Sequence, residues 1–419
     1  MAFDIHFSMW YFTAIKNKEE IIMYPKIDKK DLEIWADYLL NHSLGGISPD
    51  DIIMVKGEYV AWPLMSVLQD KIFAAGAIAD VYMIPPDNNR GQVWGASIAR
   101  QGSVAQIKKT PVWHKERYEN MTKYIEILGA EAPELFANLP DETGSALMKA
   151  DMPFKQIRLA KPWVLTLYPT QAFADMEGMT LEEYTNIVVT TSLTDPKELE
   201  TKEEPIARLI DKSKSVRIET ECPETGNILT LTMSIDGRFP VKCFGERNFP
   251  DGEVYTSPDA NSVAGEIFVD LPVFYNGVTI QGIYLKFAKG KIVAYKADKE
   301  YEALKKIIET DNGSHRLGEV ALGMNQGLTV ALKHPLFVEK VGGTLHIAIG
   351  ESYPDCYVRD TESAESKQRI EKLARDGVFN KSAQHVDIVV DFRKGGAGRR
   401  LFLDGQELIS RNNIWEISS

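Results

Sequence analysis

The pattern of apolar residues changes once along this chain of 419 residues. In the first half, short apolar runs such as "DDIIMVKG" and "IADVYMIPP" flank a longer helical pattern, "YVAWPLMSVLQDKIFAAG". In the second half, segments such as "SVRIET", "ILTLTMSI" and "KIVAYKA" alternate apolar and polar residues. The first pattern is typical of a parallel sheet with crossover helices, and the second of antiparallel strands with one buried face. The sequence therefore predicts an α/β part followed by a mixed α+β part.

The segment "TDPKELETKEEP", from Thr194 to Pro205, lies where the pattern changes. It is charged, bracketed by prolines and poor in large apolar residues, as expected of a domain junction. A single hydrophobic core stops growing at roughly 250–300 residues, so a chain of this length favours two domains. We predict an N-terminal α/β domain with a mostly parallel sheet over residues 1–205. A C-terminal mixed domain, rich in antiparallel strands, then covers residues 206–419.

Several elements are predicted individually. Apolar spacing in "KKDLEIWADYLLNH" predicts a helix, and Thr180 with Glu183 forms a capping pair that opens another. The stretch "KEYEALKKIIET" predicts a helix with Asp298 as its N-cap. The stretch "GVTIQGIYLKF" predicts one strand, and "AKGK" after it a hairpin turn.

Composition excludes several classes of protein. A net charge of −12 argues against nucleic acid as a partner, because phosphate binding needs clustered basic residues. We predict no membrane span, since no apolar run approaches ~20 residues, and no signal peptide in "MAFDIHFSMWYFTAIKNKEE", which lacks a basic start and a cleavage site. Three cysteines without CxxC spacing support neither disulfides nor a thiolate zinc site, so we expect a reducing cytoplasm.

The stretch "QHVDIVVDFR" has the β-branched and aromatic residues of a buried strand, yet it begins with a histidine and an aspartate. His385 and Asp387 are two residues apart, so in an extended chain both side chains point to the same face. The spacing predicts that they face one common object.

Further candidate ligands lie in the same half of the chain. His346 lies in the apolar run "GGTLHIAIG", and Glu319 in "RLGEVALG" is a carboxylate among apolar neighbours, which is costly unless it is paired or bound to a cation. Glu253 follows the turn residues "PDG", and Glu339 lies in "LFVEKVGG". Two imidazoles and four carboxylates suit zinc, cobalt, manganese or iron, and can hold two ions. No HExxH motif is present, so the residues alone indicate a metal site and leave the reaction open.

Four blocks in order resemble the thermophilic metalloprotease family of aminopeptidases, the group of aminopeptidase T and aminopeptidase S. They are "NFPDGEVYTSP", "RLGEVALG", "GGTLHIAIGESYP" and "HVDIVVDFR". The segment "GMTLEEYTNIV" is similar to the family's region before the junction, so the resemblance covers most of the chain from about Lys161. Val386 departs from the family pattern, and the spacing from Glu339 to His346 is wider than in the family.

The resemblance implies a set of site residues. The implied metal ligands are Glu253, Glu319, Glu339, His346, His385 and Asp387. The implied catalytic residues are Tyr353, as a hydrogen-bond donor to the oxyanion, and Glu319, with Glu253 as the other carboxylate that could take a proton from water.

The resemblance also implies the reaction. Two divalent ions, of zinc, cobalt, manganese or magnesium, activate a water that hydrolyses the first peptide bond of a substrate with a free N-terminus. In the family the active site opens to a cavity inside a homodimer, so a homodimer is expected.

Two alternatives stay open at this point. Ring-cleaving dioxygenases acting on dihydroxypyridine resemble this family and hold a single Fe(II), for which His346, His385 and Asp387 would suffice. Retention of Glu253 and Glu319 argues for two metals and hydrolysis. A non-enzymatic relative on the same fold is the second alternative, and the presence of every implied ligand argues against it.

Overall fold

The computed structural model describes residues 24–418 apart from 85–94, 110, 133–140, 276–277 and 395–397. The N-terminal stretch for which we predict no signal peptide lies outside the described residues. None of the helices in the described part of the chain combines the length and apolar character that crossing a bilayer demands.

Helices and strands alternate in the first half of the chain, as the apolar pattern predicts. The elements are α1 (Lys29–Asp37), β1 (Ile52–Glu58), α2 (Trp62–Ala74), β2 (Ile78–Ile84), α3 (Ala96–Gln101), α4 (Val104–Ile107), α5 (Val112–Asn120), β3 (Lys123–Leu128), α6 (Asp141–Leu159), β4 (Trp163–Leu167), α7 (Gln171–Glu177), α8 (Leu181–Ser192) and α9 (Pro196–Lys212). A π-helical turn, Tyr38–Ser43, continues α1. The predicted capping box at Thr180 and Glu183 is confirmed, and it opens α8.

The first half of the chain builds a parallel sheet. Its strand order is β2-β1-β3-β4, and a two-residue strand from the second half of the chain, β8 (Asn248–Phe249), pairs in parallel with β4 at the edge. The helix α2 connects β1 to β2, which confirms the predicted crossover. Phe249 of β8 is buried in the same core as Trp35 and Tyr168.

The predicted junction is helical: α9 contains most of the segment from Thr194 to Pro205, with Pro205 inside the helix. Asp195 caps the N-terminus by accepting a hydrogen bond from the backbone N–H of Lys197. One side of α9 packs Leu199 and other apolar residues into the core of the second half. The helix therefore belongs to a packed layer, and the division into residues 1–205 and 206–419 stays a prediction.

The second half of the chain contains mainly strands. After β5 (Ser215–Glu221) and β6 (Ile228–Ser234) come β7 (Val241–Cys243), β8, β9 (Glu253–Thr256), β10 (Ala264–Val269), β11 (Val273–Tyr275), β12 (Val278–Ile280), β13 (Ile283–Ala288), β14 (Lys291–Lys296), α10 (Tyr301–Ile308), β15 (Leu317–Gly323), α11 (Pro335–Val338), β16 (Thr344–Gly350), α12 (Ala364–Arg375), β17 (His385–Asp391), β18 (Arg400–Leu403), β19 (Gln406–Arg411) and β20 (Ile414–Ile417).

Two antiparallel sheets share one hydrophobic core in this half. The larger sheet has the order β14-β13-β10-β6-β5-β18-β19-β20, and the smaller has the order β17-β16-β15-β9-β7. Ile218 and Leu285 from the larger sheet meet Leu345 and Ile388 from the smaller one in that core. The prediction of a mixed domain rich in antiparallel strands is therefore confirmed, together with the mostly parallel sheet before it.

Two local predictions are wrong. Asp298 does not cap α10, because the helix begins at Tyr301 and Glu300 occupies the N-cap position with a left-handed backbone. The stretch "GVTIQGIYLKF" is not one strand: it separates into β12 and β13 at Gly282, which has a φ of 64° and would bring an added Cβ to 2.0 Å from Oδ2 of Asp298. The glycine thus permits the close approach that ends one strand and starts the next. The predicted turn between β13 and β14 is confirmed.

Candidate metal centre

The smaller antiparallel sheet has one apolar face and one face that carries the predicted ligands. Along β16 and β17, residues such as Leu345, Ile347 and Ile388 point into the shared core. The intervening residues His346 and Asp387 point to the opposite face because successive side chains of a strand alternate. The alternation that makes these strands pack is therefore also what collects the ligands on one side.

Small residues leave room between the ligands on this face. Asp387 pairs with Ala348, and Ala348 pairs with Glu319, so an alanine separates the two carboxylates in one row across three strands. In a neighbouring row, Ala321 lies opposite His346. Both alanines are buried and neither reaches as far from the sheet as the ligands do.

A β-bulge at Gly318 turns Glu319 toward the site. Leu317 pairs with Ile349 whereas Glu319 pairs with Ala348, so β15 has one extra residue at this point. Leu317 lies in the apolar core, and without the bulge Glu319, two residues later, would point into the same core. An added Cβ at Gly318 would lie 2.0 Å from the carbonyl oxygen of Glu351, so the bulge requires glycine.

His385 is oriented by the backbone. Its Nδ1 donates to the carbonyl oxygen of Glu351 at 2.9 Å, which directs Nε2 toward Asp387 Oδ1 at 3.5 Å and Glu319 Oε2 at 3.7 Å. Burial alone would lower the pKa of His385, but the carboxylates of Asp387 and Glu319 raise it to about 10. An imidazole held by such a backbone contact is the usual arrangement of a histidine ligand in a metal site.

His346 lies at the centre of the cluster and is fully buried. Its Nε2 is 3.0 Å from Glu319 Oε1 and 3.2 Å from Glu253 Oε2. Asp387 Oδ1 is 4.0 Å from the same nitrogen. Three carboxylates thus converge on one imidazole nitrogen.

Two groups of three ligands overlap at Glu319. One contains Glu253, Glu319 and His346, the other Glu319, His385 and Asp387, and within each group the ligand atoms lie within 4.8 Å of one another. Buried acidic groups gathered this closely need a cation to balance their charge.

Two carboxylate oxygens in the cluster lack a well-formed hydrogen bond, which also indicates that the cluster binds a cation. Oε2 of Glu253 and Oδ1 of Asp387 are buried without a hydrogen bond of good geometry. Both oxygens point at the ligand groups, as atoms that coordinate a divalent ion would. The donor set present here therefore fits a metal.

Glu339 also reaches the cluster, although it belongs to neither group of three. It follows α11, whose N-cap is His334. Burial and then the Asp387 carboxylate raise the pKa of Glu339 well above its usual range, and a hydrogen bond between the two carboxyl groups helps to lower the pKa of Asp387.

Tyr353 lies beside the ligands. Its ring is tilted against that of His385, with the centroids 4.7 Å apart, and against Tyr255 at 5.3 Å. Its backbone N–H donates to Ser257 Oγ at 3.2 Å, which fixes the chain just before Pro354. Burial and then the charge of Glu319 raise the pKa of the Tyr353 hydroxyl, so this hydroxyl keeps its proton and remains a donor.

Sequence reasoning missed Lys340, which is 1% exposed. Its Nζ lies 2.5 Å from Glu253 Oε1, 3.2 Å from Glu339 Oε2 and 3.7 Å from Asp251 Oδ1. Burial alone would raise the pKa of Glu253, but the Lys340 ammonium and His346 lower it to about 2. The signal in the sequence was a charged pair, Glu339 and Lys340, inside the apolar stretch "LFVEKVGG".

The site is more open on one side than on the other. The side chains of His385 and Asp387 are 21% and 17% exposed, whereas those of Glu253 and Lys340 are 9% and 1% exposed. The cluster is therefore more accessible from the side of β17.

The chain is similar to several known proteins. A family model described as thermophilic metalloprotease (M29) matches residues 28–405. Aminopeptidase PepS from Streptococcus thermophilus is 25% identical over 425 aligned positions, covering 93% of this chain and 98% of that protein. Aminopeptidase 2 from Geobacillus stearothermophilus is 37% identical over 146 residues, and aminopeptidase AmpS from Bacillus subtilis is 34% identical over 179 residues. These two matches span only 34% and 40% of the relatives' own length.

Two solved structures share the fold. Wild-type AmpT from Thermus thermophilus superposes with a TM-score of 0.73 at 19% identity, covering 92% of this chain and 99% of that one. The 2,5-dihydroxypyridine dioxygenase from Pseudomonas putida KT2440 superposes with a TM-score of 0.50 at 12% identity. At such identities the likeness concerns the fold alone. The family model, in contrast, covers nearly the whole chain, and the protein therefore belongs to the thermophilic metalloprotease (M29) family, as its four motifs predict.

Proposed function

We propose that this protein is a metal-dependent aminopeptidase that removes the N-terminal residue of peptides with the help of two divalent ions. The observation that carries the proposal is that Glu319 is common to two groups of three ligands, beside Tyr353, on one face of a sheet. Membership of a metalloprotease family and similarity to proteins named aminopeptidases support it.

The ligands would be Glu253, Glu319, Glu339, His346, His385 and Asp387. Their nitrogen and oxygen atoms suit zinc, cobalt, manganese or magnesium. Divalent ions bound there would supply a water of lowered pKa and would polarise the scissile carbonyl.

The chain's own residues would divide the remaining work. Glu319, which lies between the two histidines, would accept the proton of the attacking water, because Glu253 is held by the Lys340 ammonium at 2.5 Å. The Tyr353 hydroxyl would donate a hydrogen bond to the oxygen of the carbonyl as negative charge develops on it.

The substrate would enter from the side of His385 and Asp387. Its free α-ammonium group needs a carboxylate partner, and Asp387 and Glu339 are the ligands with the more exposed carboxylates, at 17% and 13%. Such a contact would restrict cleavage to the first residue. We also propose a homodimer working in the cytoplasm, an expectation that comes from the family resemblance and from the cysteine content.

The ring-cleaving dioxygenase is the weaker alternative. An Fe(II) site of two histidines and one carboxylate would have no use for Glu253 and Glu319, both of which are buried and face His346. Both AmpT and the dioxygenase have the fold of this chain, so similarity of fold does not favour the dioxygenase.

The test compares Leu-Gly-Gly with its N-acetylated form. Metal-stripped protein would be supplied with zinc, cobalt, manganese or magnesium, and free leucine would be quantified. We expect release from the free-amine peptide alone, abolished by a chelator and by His385→Ala. Equal release from both peptides, or no release with any of the four ions, would overturn the proposal.

A further inference from the structure

Lys340 is a buried cation inside a cluster of predicted metal ligands. Its ammonium contacts Glu253 and Glu339, two of the six predicted ligands, at 2.5 Å and 3.2 Å. The side chain is 1% exposed, so these contacts are shielded from solvent.

The backbone fixes Lys340 in this position. Its N–H donates to the carbonyl oxygen of Phe337, and its carbonyl oxygen accepts from the N–H of Asn325. The Asn325 side chain in turn donates to the carbonyl oxygen of Asp251 at 2.7 Å. Gly252 and Gly245 donate their N–H groups to the Asp251 carboxylate, which lies 3.7 Å from the ammonium. These hydrogen bonds fix the backbone of Lys340 at one end of its side chain, and they fix the Asp251 carboxylate beside the ammonium at the other end.

The contacts of Lys340 make the two ligand groups unequal. Glu253 belongs to the group with Glu319 and His346, and also to a third group with Cys243 and Asp251. It does not belong to the group of His385 and Asp387, and its charge is already balanced by the ammonium. The other group contains His385 and Asp387, and neither of these side chains forms an ion pair with Lys340 in the described part of the chain. That second group is also the more exposed one.

We propose that Lys340 acts as a built-in cation on the Glu253 side, so that one divalent ion binds tightly at Glu319, His385 and Asp387 and a second binds much more weakly. A fixed positive charge repels a nearby divalent ion, and the repulsion is strong where solvent is excluded. This inference rests on the proposed two-ion function, and it makes ion binding stepwise.

The experiment is a titration of the metal-stripped, full-length protein with Co²⁺ followed by absorption, repeated with Zn²⁺ by calorimetry. For the wild type we expect two steps whose dissociation constants differ by about 100-fold or more. For Lys340→Met we expect the second step to tighten by about tenfold or more, with the first step nearly unchanged.

Lys56→Met is the matched control. Lys56 is also buried, at 5% exposed, and pairs with Glu126 at 2.9 Å in the parallel sheet. Its removal tests the general effect of losing a buried ammonium, and we expect it to leave both binding steps as in the wild type. Lys340→Gln is the second neutral variant, for use if the methionine variant does not fold in thermal melting and circular dichroism.

The outcomes separate the two proposals. Two steps of equal affinity in the wild type, or unchanged binding in both neutral Lys340 variants, overturn the role of Lys340 even if leucine is released from Leu-Gly-Gly. Loss of all ion binding in a folded Lys340 variant also overturns it, since the residue would then be needed to form the site. No binding and no hydrolysis in the wild type overturn the proposed function as well.

Discussion

Nδ1 of His385 lies 2.9 Å from the backbone carbonyl oxygen of Glu351. A carbonyl oxygen only accepts, so Nδ1 carries a proton and Nε2 is the nitrogen directed at the carboxylates. This hydrogen bond fixes the orientation of the His385 ring, so that its Nε2 can act as a metal ligand.

We therefore expect His385→Ala to weaken ion binding by at least about tenfold and to abolish leucine release. Metal content after dialysis, measured by elemental analysis, checks the first effect. The control is His315→Ala, since His315 belongs to none of the ligand groups among the described residues. An alanine variant at His385 that keeps its ions would contradict the assignment.

Tyr353→Phe removes one hydroxyl beside the ligands. If this hydroxyl stabilises the oxyanion, kcat should fall by roughly 10²–10³ while metal content and KM stay near those of the wild type. Steady-state kinetics on Leu-Gly-Gly checks this. Tyr255→Phe, at the neighbouring ring 5.3 Å away, is the control and should retain activity. An equal loss in both variants would indicate a packing effect instead.

Gly318→Ala should damage both stability and the site. The added Cβ would lie 2.0 Å from the carbonyl oxygen of Glu351, so the bulge that directs Glu319 must shift. Gly237→Ala is a useful comparison, because Gly237 has a φ of 68° and open space around it. That control should cost only roughly 1–2 kcal/mol of the free energy of unfolding, the usual cost of a Cβ in the left-handed region. Thermal melting together with metal content should show a larger loss at Gly318, and equal losses would contradict the role of the bulge.

His334, the N-cap of α11, gives the stability of the protein a pH dependence. Its Nδ1 accepts the backbone N–H of Leu336 at 3.2 Å, and burial lowers the pKa of the imidazole from 6.5 to about 4. Because the folded pKa lies below the unfolded one, the unfolded chain binds more protons between these values. The contribution of neutral His334 is present above pH 6.5 and is lost as the pH falls toward 4.

His334→Asn keeps an N-cap acceptor but removes the titration. We expect its melting temperature to fall less than that of the wild type between pH 6.5 and 4. Melting curves at half-unit pH intervals check this, and parallel curves for the two proteins would show that His334 does not contribute.

Local signals in the sequence predicted the ligand strands and some helix ends well. The capping box at Thr180 needs only the chemistry of neighbouring residues, and so does the shared face of His385 and Asp387. Both are short-range properties of the chain, and the structure has them as predicted.

Long-range pairings could not be read in the same way. Strand β8 has two residues, too few for any periodicity, yet it completes the parallel sheet. The bulge at Gly318 is a property of two strands together, and glycine alone does not specify it. Lys340 contacts Glu253 beside an isolated bridge between Asn325 and Val341, and no local pattern in either segment predicts that bridge.

The ligand site in the second half of the chain cannot be separated from the parallel sheet in the first half. Phe249 is buried in the core of the parallel sheet, and Glu253 begins the ligand strand four residues later, a span of at most about 14 Å. A fragment cut at residue 205 would leave Phe249 without its partners and would free the turn that presents Glu253. Recombination or domain exchange at that boundary would therefore yield chains with a disrupted ligand site. We expect the two halves to be inherited together.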